Sequence, residues 1–154
     1  MIWKPNVTVA AVVERDGRFL LVEEQTERGL LLNQPAGHLE ADESIVAAVA
    51  RETLEETAWE FSPQHLVGVY RWRPSGGDVT YLRFAFSGLL GTHHADRALD
   101  EGIVRTVWLS PDEIRNGRDR HRSPLVVRCM EDYLAGIRAP LDLLVDYNGS
   151  GFVT

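Results

Sequence analysis

Three glutamates, Glu52, Glu55 and Glu56, stand close together in a segment whose composition favours helix. At about 100° per residue they fall on one arc, because positions three and four apart are neighbours on a helix surface. Carboxylates so placed repel one another, and such a cluster either binds a cation or keeps one member protonated. Only oxygen ligands are on offer, which favours a hard cation such as Mg²⁺ over zinc. Arg51 precedes the cluster and is spaced to pair with Glu55. Upstream, Gly37 closes a Pro-Ala-Gly turn, where a glycine permits close approach and its carbonyl is a further candidate metal ligand. The competing reading is a solvated acidic helix face, and the glycine turn and Arg51 count against it.

The helix that must carry these groups runs from Ser44 through Leu54, with Ala47, Ala48 and Ala50 and no Gly or Pro. Asp42 is the predicted N-cap. Glu43 falls in the first turn, where the helix dipole favours an acid. Ahead of it, Val7–Val13 is rich in β-branched residues and reads as a buried strand. Asp16-Gly17 signals a hairpin turn, Arg18–Glu23 returns as a strand, Gln25–Gly29 is a loop, and Leu30–Gln34 is a short strand. Beyond the helix, Gln64–Arg73 and Thr80–Phe86 read as a strand pair around the Pro74–Asp78 turn. Arg71, Arg73 and Arg83 sit on that pair, where each guanidinium either meets phosphate oxygens or faces solvent. Trp72 either stacks on a base or fills the core.

Gly88–Glu101 reads as a long loop holding His93-His94, followed by a strand at Arg105–Leu109. Ser110-Pro111-Asp112-Glu113 opens a short helix with a capping box. Arg115, Arg118, Arg120 and Arg122, with His121, form the one basic cluster, which could hold a phosphate or an RNA end. Ser123-Pro124 opens a last helix whose apolar stripe is Leu125, Val126, Cys129, Met130, Tyr133 and Leu134, stopped at Gly136. The tail from Ile137 to Thr154 is expected to pack back on the domain. Strands and interspersed helices suggest a mixed sheet between helices, an α/β/α sandwich.

Composition narrows the function. The 154 residues suffice for one domain with a proper core. A net charge of −7 argues against a general nucleic-acid or membrane-surface binder. Cys129 is the single cysteine, so no intramolecular disulfide and no CxxC zinc site can form. No apolar run approaches the ~18 residues that span a membrane. The apolar stretch after Lys4 is interrupted too soon for a signal peptide. A cytoplasmic protein is expected.

The spacing Gly37, five residues, Glu43, seven residues, Arg51-Glu52, two residues, Glu55-Glu56, with Trp59 closing, resembles the Nudix box. Thr53 replaces an apolar residue of that pattern and Ala58 replaces its closing glycine. The resemblance implies a single Nudix α/β/α domain over residues 1–154 and a Mg²⁺-dependent hydrolase, with Mn²⁺ as a substitute. It implies Glu52, Glu55, Glu56 and the Gly37 carbonyl as metal ligands, with Glu52 as an alternative base. Arg51 would orient the ligands, and Glu43 would play a structural part. It also implies one more acid from a loop after the box, for which Glu101 is the candidate.

Further stretches extend the resemblance to one bacterial branch of the family. They are Lys4–Ala10, Asn33–Glu43, Leu82-Arg83-Phe84 and Arg122–Val126. The match weakens across Gly88–Arg105 and the tail. That branch is monomeric and releases orthophosphate from nucleoside tri- and diphosphates and from hydroxymethylpyrimidine diphosphate. The expected partner is a small nucleotide, not DNA or a membrane. The alternatives are a pyrophosphatase for ADP-ribose, dinucleoside polyphosphates or RNA 5′ ends, and a non-catalytic nucleotide sensor.

Overall fold

The computed structural model describes residues 1–147 and the strand Phe152–Val153; residues 148–151 and Thr154 lie outside the described residues. The strands are β1 (Asn6–Val12), β2 (Glu14–Arg15), β3 (Arg18–Thr26), β4 (Gly29–Asn33), β5 (Ala36–His38), β6 (Trp59–Trp72), β7 (Tyr81–His93), β8 (Ile103–Leu109), β9 (Ala139–Pro140), β10 (Asp146–Tyr147) and β11 (Phe152–Val153). The helices are α1 (Ile45–Thr57), α2 (Pro111–Asn116) and α3 (Leu125–Leu134).

Five strands form a mixed sheet in the order β5-β1-β7-β6-β9, in which β1 and β7 run parallel and the other pairs antiparallel. A second sheet joins β2, β4 and β8 to β3. The first is the mixed sheet that the sequence leads one to expect; the second was not foreseen, and in it β3 pairs on both edges. Alternation along the strands divides the core. Ala10, Val12 and Ala85 pack with Val126, Cys129 and Met130 of α3 on one face. Val9, Ala11 and Phe86 pack with Ala48 and Val49 of α1 on the other.

Helix α1 begins two residues later than Asp42 suggests. Ser44 is the N-cap, its hydroxyl accepting from the Ala47 amide at 3.0 Å. Glu43, beside it, is drawn away to Arg51, which leaves the capping position to the serine. Thr53 is fully buried inside α1, and its hydroxyl is satisfied by the Val49 carbonyl at 2.7 Å, so the polar residue costs little there. Ala58 ends the helix in the left-handed region at φ 62°, the conformation a closing glycine adopts without strain.

The expected loop at Gly88–Glu101 is strand as far as His93. The first half of β6 pairs with it, Trp59 opposite His93 and Phe61 opposite Leu90. Gly88 is not a breaker: a Cβ there would collide with the Ser62 carbonyl of the neighbouring strand. Helix α3 buries Leu125, Val126, Cys129 and Met130 as its stripe predicts, whereas Leu134 is exposed. Part of the tail packs back, β9 adding to the edge of β6. Among the described residues, no helix is long and apolar enough to cross a membrane.

Candidate active site

Arg51 is the hub of the acidic segment. Its Nη2 donates to Glu43 Oε1 at 2.7 Å and to the His38 carbonyl at 3.0 Å, and its Nε donates to Glu43 Oε2 at 2.9 Å. Its Nη1 reaches Glu52 at 2.9 Å and Glu55 at 3.1 Å. The bidentate bond to Glu43 holds that carboxyl below its usual range. One guanidinium thus ties the loop before α1 to the ligand-bearing face of the helix.

Glu52 and Glu56 are buried. The Glu52 carboxylate lies against the Cα of Gly37, in the space a Cβ would fill. Burial pushes its pKa up, opposed by Arg51. Glu56 Oε1 accepts from the Ala36 amide at 2.9 Å, yet burial dominates and pushes the carboxyl up to about 8. One oxygen each from Glu52, Glu55 and Asp100 lie within 4.8 Å of one another. An all-oxygen donor set this tight suits a hard divalent cation.

The loop acid that meets Glu52 and Glu55 in space is Asp100, whereas the expected Glu101 is not in that group. The Asp100 amide docks on the Glu55 carbonyl at 3.0 Å, which seats that residue beside α1. Glu101 follows in an exposed turn outside the cluster. The two acids are adjacent in sequence, and only this backbone contact distinguishes them.

Glu52 and Glu56 open onto a cavity of about 1300 Å³ that Gly37, Trp72, Tyr81 and Arg83 also line. Trp72 stacks on Tyr81 with ring centroids 5.7 Å apart and packs against the α3-side core, as its core reading expects, and it also lines the cavity. Arg83 is 6% exposed and faces the same cavity. Arg71 and Arg73 do not line it. Arg71 is exposed beside the inward-facing Trp72, as strand alternation requires. Arg73 is exposed and donates to the Gly77 carbonyl of its own turn. Of the basic cluster, Arg118 and Arg122 reach the cavity, whereas Arg115 pairs with Glu131 at 2.6 Å. Tyr81, Asn33 and Asp100 were not singled out by the sequence. Asn33 had a visible signal, as an amide at a strand end just before the glycine turn.

This arrangement, a carboxylate helix set against a glycine turn in a mixed sheet, has close relatives. A profile of the NUDIX domain matches residues 3–128. The chain belongs to the Nudix family. It is 42% identical over 147 residues to "Phosphatase NudJ" of Escherichia coli strain K12, covering 96% of this chain and 95% of that protein. Among solved structures, a NUDIX hydrolase from Nitrosomonas europaea superposes with a TM-score of 0.91 at 54% identity, covering 96% of this chain and all of that one. The MutT protein of Methanosarcina mazei Go1 shares the fold at a TM-score of 0.69 and 23% identity, covering 88% of this chain and 99% of that one. The chain is thus a Nudix hydrolase acting on phosphoanhydrides, and it is similar to phosphatase NudJ over nearly its whole length.

The contact between Gly37 and Glu52 predicts a separable effect. In Gly37→Ala the new methyl must displace a carboxylate at the end of a flexible side chain, so the fold gives easily. The Nudix site does not, because Glu52 leaves the cluster it shares with Glu55 and Asp100. Hydrolysis is expected to fall about 100-fold or more, as for a 1 Å misplacement, while the melting temperature changes little. Unchanged hydrolysis would place Glu52 outside the reaction.

Proposed function

We propose that this Nudix hydrolase removes orthophosphate from nucleoside tri- and diphosphates, with Mg²⁺ as its metal. The observation that carries the reading is the meeting, in one cavity, of the Glu52–Glu56 carboxylates with an aromatic and arginine wall. Carboxylates suit the metal end of a nucleotide, and Trp72 and Arg83 suit the remainder. The resemblance to phosphatase NudJ over nearly the whole chain favours orthophosphate as the product.

Glu52, Glu55, Glu56 and the Gly37 carbonyl are the proposed ligands, with Asp100 added from its place beside Glu52 and Glu55. Held there, the cation would neutralise charge on the phosphate oxygens and lower the pKa of a water. Arg51 keeps Glu52 and Glu55 from swinging away from each other. A carboxyl pushed up to about 8 gives up its proton near neutral pH, so Glu56 serves as a ligand once deprotonated or as the group that takes a proton from water. Glu52 is open to the same two roles.

The test is direct measurement of orthophosphate from GTP and GDP with Mg²⁺, without an auxiliary phosphatase, with the nucleotide products separated by chromatography. The expected result is orthophosphate from both, with GDP formed from GTP and GMP from GDP. Pyrophosphate and GMP from GTP, or inactivity until ADP-ribose is supplied, would make the chain a pyrophosphatase.

A further inference from the structure

Arg83 is a buried charge that the carboxylate chemistry does not use. No carboxylate lies within ion-pair distance of it among the described residues. Neutral groups hold it instead. Its Nη1 donates to Gln34 Oε1 at 2.9 Å and lies 3.8 Å from Cys129 Sγ, and its Nη2 donates to Asn33 Oδ1 at 3.0 Å. A guanidinium has five N–H donors and no acceptor. These contacts take three, and the Nε hydrogen and one Nη2 hydrogen have no acceptor among the described residues. The partnerless Nε is not a buried atom, and Arg83 lines the cavity.

The amide orientations follow from this donor-only fork. Arg83 can face only the oxygens of Asn33 and Gln34, so each amide is oriented with its oxygen on the guanidinium. The Gln34 amide nitrogen is fixed on the Val126 carbonyl at 2.8 Å. The Asn33 amide nitrogen has no acceptor among the described residues, and Asn33 lines the cavity. The free polar groups here are therefore donors. Thr8, opposite Arg83 in the β1–β7 register, adds a hydroxyl that can donate or accept and so does not discriminate.

Tyr81 stands two residues from Arg83 on the same face of β7, roughly 7 Å along the strand, and carries the stack with Trp72. A base stacked on that pair would have Arg83 beside it, one side-chain step along β7. We propose that Arg83 and Asn33 read the edge of that base and select bases that offer only acceptors there, the O6 and N7 of guanine or hypoxanthine, over adenine with its 6-amino donor. Planar guanidinium forks bind O6 and N7 together, whereas adenine sets a donor against a donor. The inference rests on the nucleotide reading of the cavity and adds a base preference to it.

The experiment compares kcat/KM of the unmodified protein for GTP, ITP, 7-deaza-GTP and ATP under one metal condition. GTP and ITP should be equal, because the 2-amino group is not read, and both should exceed ATP by about tenfold or more. 7-deaza-GTP should fall between. In Arg83→Lys the charge stays and the planar fork is lost, so the GTP-to-ATP ratio should fall toward one. Equal values for all four substrates overturn the base reading and leave the proposed function intact. Hydrolysis of none of them overturns both. An Arg83→Lys protein that folds and loses GTP and ATP activity by one common factor makes Arg83 a phosphate or packing residue; if it does not fold, the four-substrate series decides.

Discussion

Glu56→Gln is expected to lower nucleotide hydrolysis by on the order of 10³-fold or more, the loss of roughly 4 kcal/mol of transition-state stabilisation. Gln keeps an oxygen to accept the Ala36 amide, so the junction between β5 and α1 survives. What it removes is the charge. The same variant reports on the titration of the site. The folded pKa of Glu56 is about 8, above the ordinary 4.5, because of burial. Protonated Glu56 therefore contributes stability that is fully present below pH 4.5 and is lost as pH rises through about 8. Metal-free protein should melt at progressively lower temperature across that window, and added Mg²⁺ should restore the loss at the alkaline end. Glu56→Gln should flatten the slope, with Glu52, raised for the same reason, retaining part of it. Melting curves from pH 5 to 9, with and without metal, measure this. A steep slope undiminished in Glu56→Gln would assign the titration elsewhere, and full phosphate release would remove Glu56 from the mechanism.

Arg51→Met has the second large effect, and it strikes the fold as well as the site. Arg51 side-chain exposure is 23%, and that of its partners Glu43 and Glu52 is 14% and 11%. Removing one member of a partly buried ion network leaves the others uncompensated, which costs about 3 kcal/mol. The loss depends on pH. Hydrogen bonding to Arg51 holds the Glu43 pKa below 4.5, so the pair stabilises the protein above that value and the contribution disappears as pH falls through the lowered pKa. The stability gap between the two proteins should be wide at pH 7 and close in acid. Denaturant unfolding at pH 7 and pH 3.5 measures it. Hydrolysis should also fall, because Glu52 and Glu55 lose the donor that fixes both. A constant gap at both pH values would mean that Arg51 contributes packing, not charge.

What the sequence determined by itself was local. The spacing from Gly37 to Trp59 specified one helix, its carboxylate face and the arginine that pairs with it. Helical periodicity alone brings Arg51 to Glu55, since no distant element has to arrive. The same holds for the Ser110–Glu113 capping box, which formed as spaced. Errors entered where two neighbours competed for one role. Ser44 rather than Asp42 caps α1, its partner being the Ala47 amide of the same segment, and Asp100 rather than Glu101 joins the cluster, its amide held by Glu55 of a distant element.

The tertiary structure decided the wall facing the carboxylates. Arg71, Arg73 and Arg83 are alike as residue types, and strand pairing alone turned Arg83 inward against Asn33 and Gln34, some 50 positions away in the chain. The division into two sheets and the extension of β7 through Gly88 depended likewise on which strands meet. Such contacts join residues far apart in sequence, and no periodicity within one segment encodes them. The helix with its carboxylates was therefore legible from its own residues. The arginine that lines the cavity became identifiable only once β1, β6 and β7 were side by side.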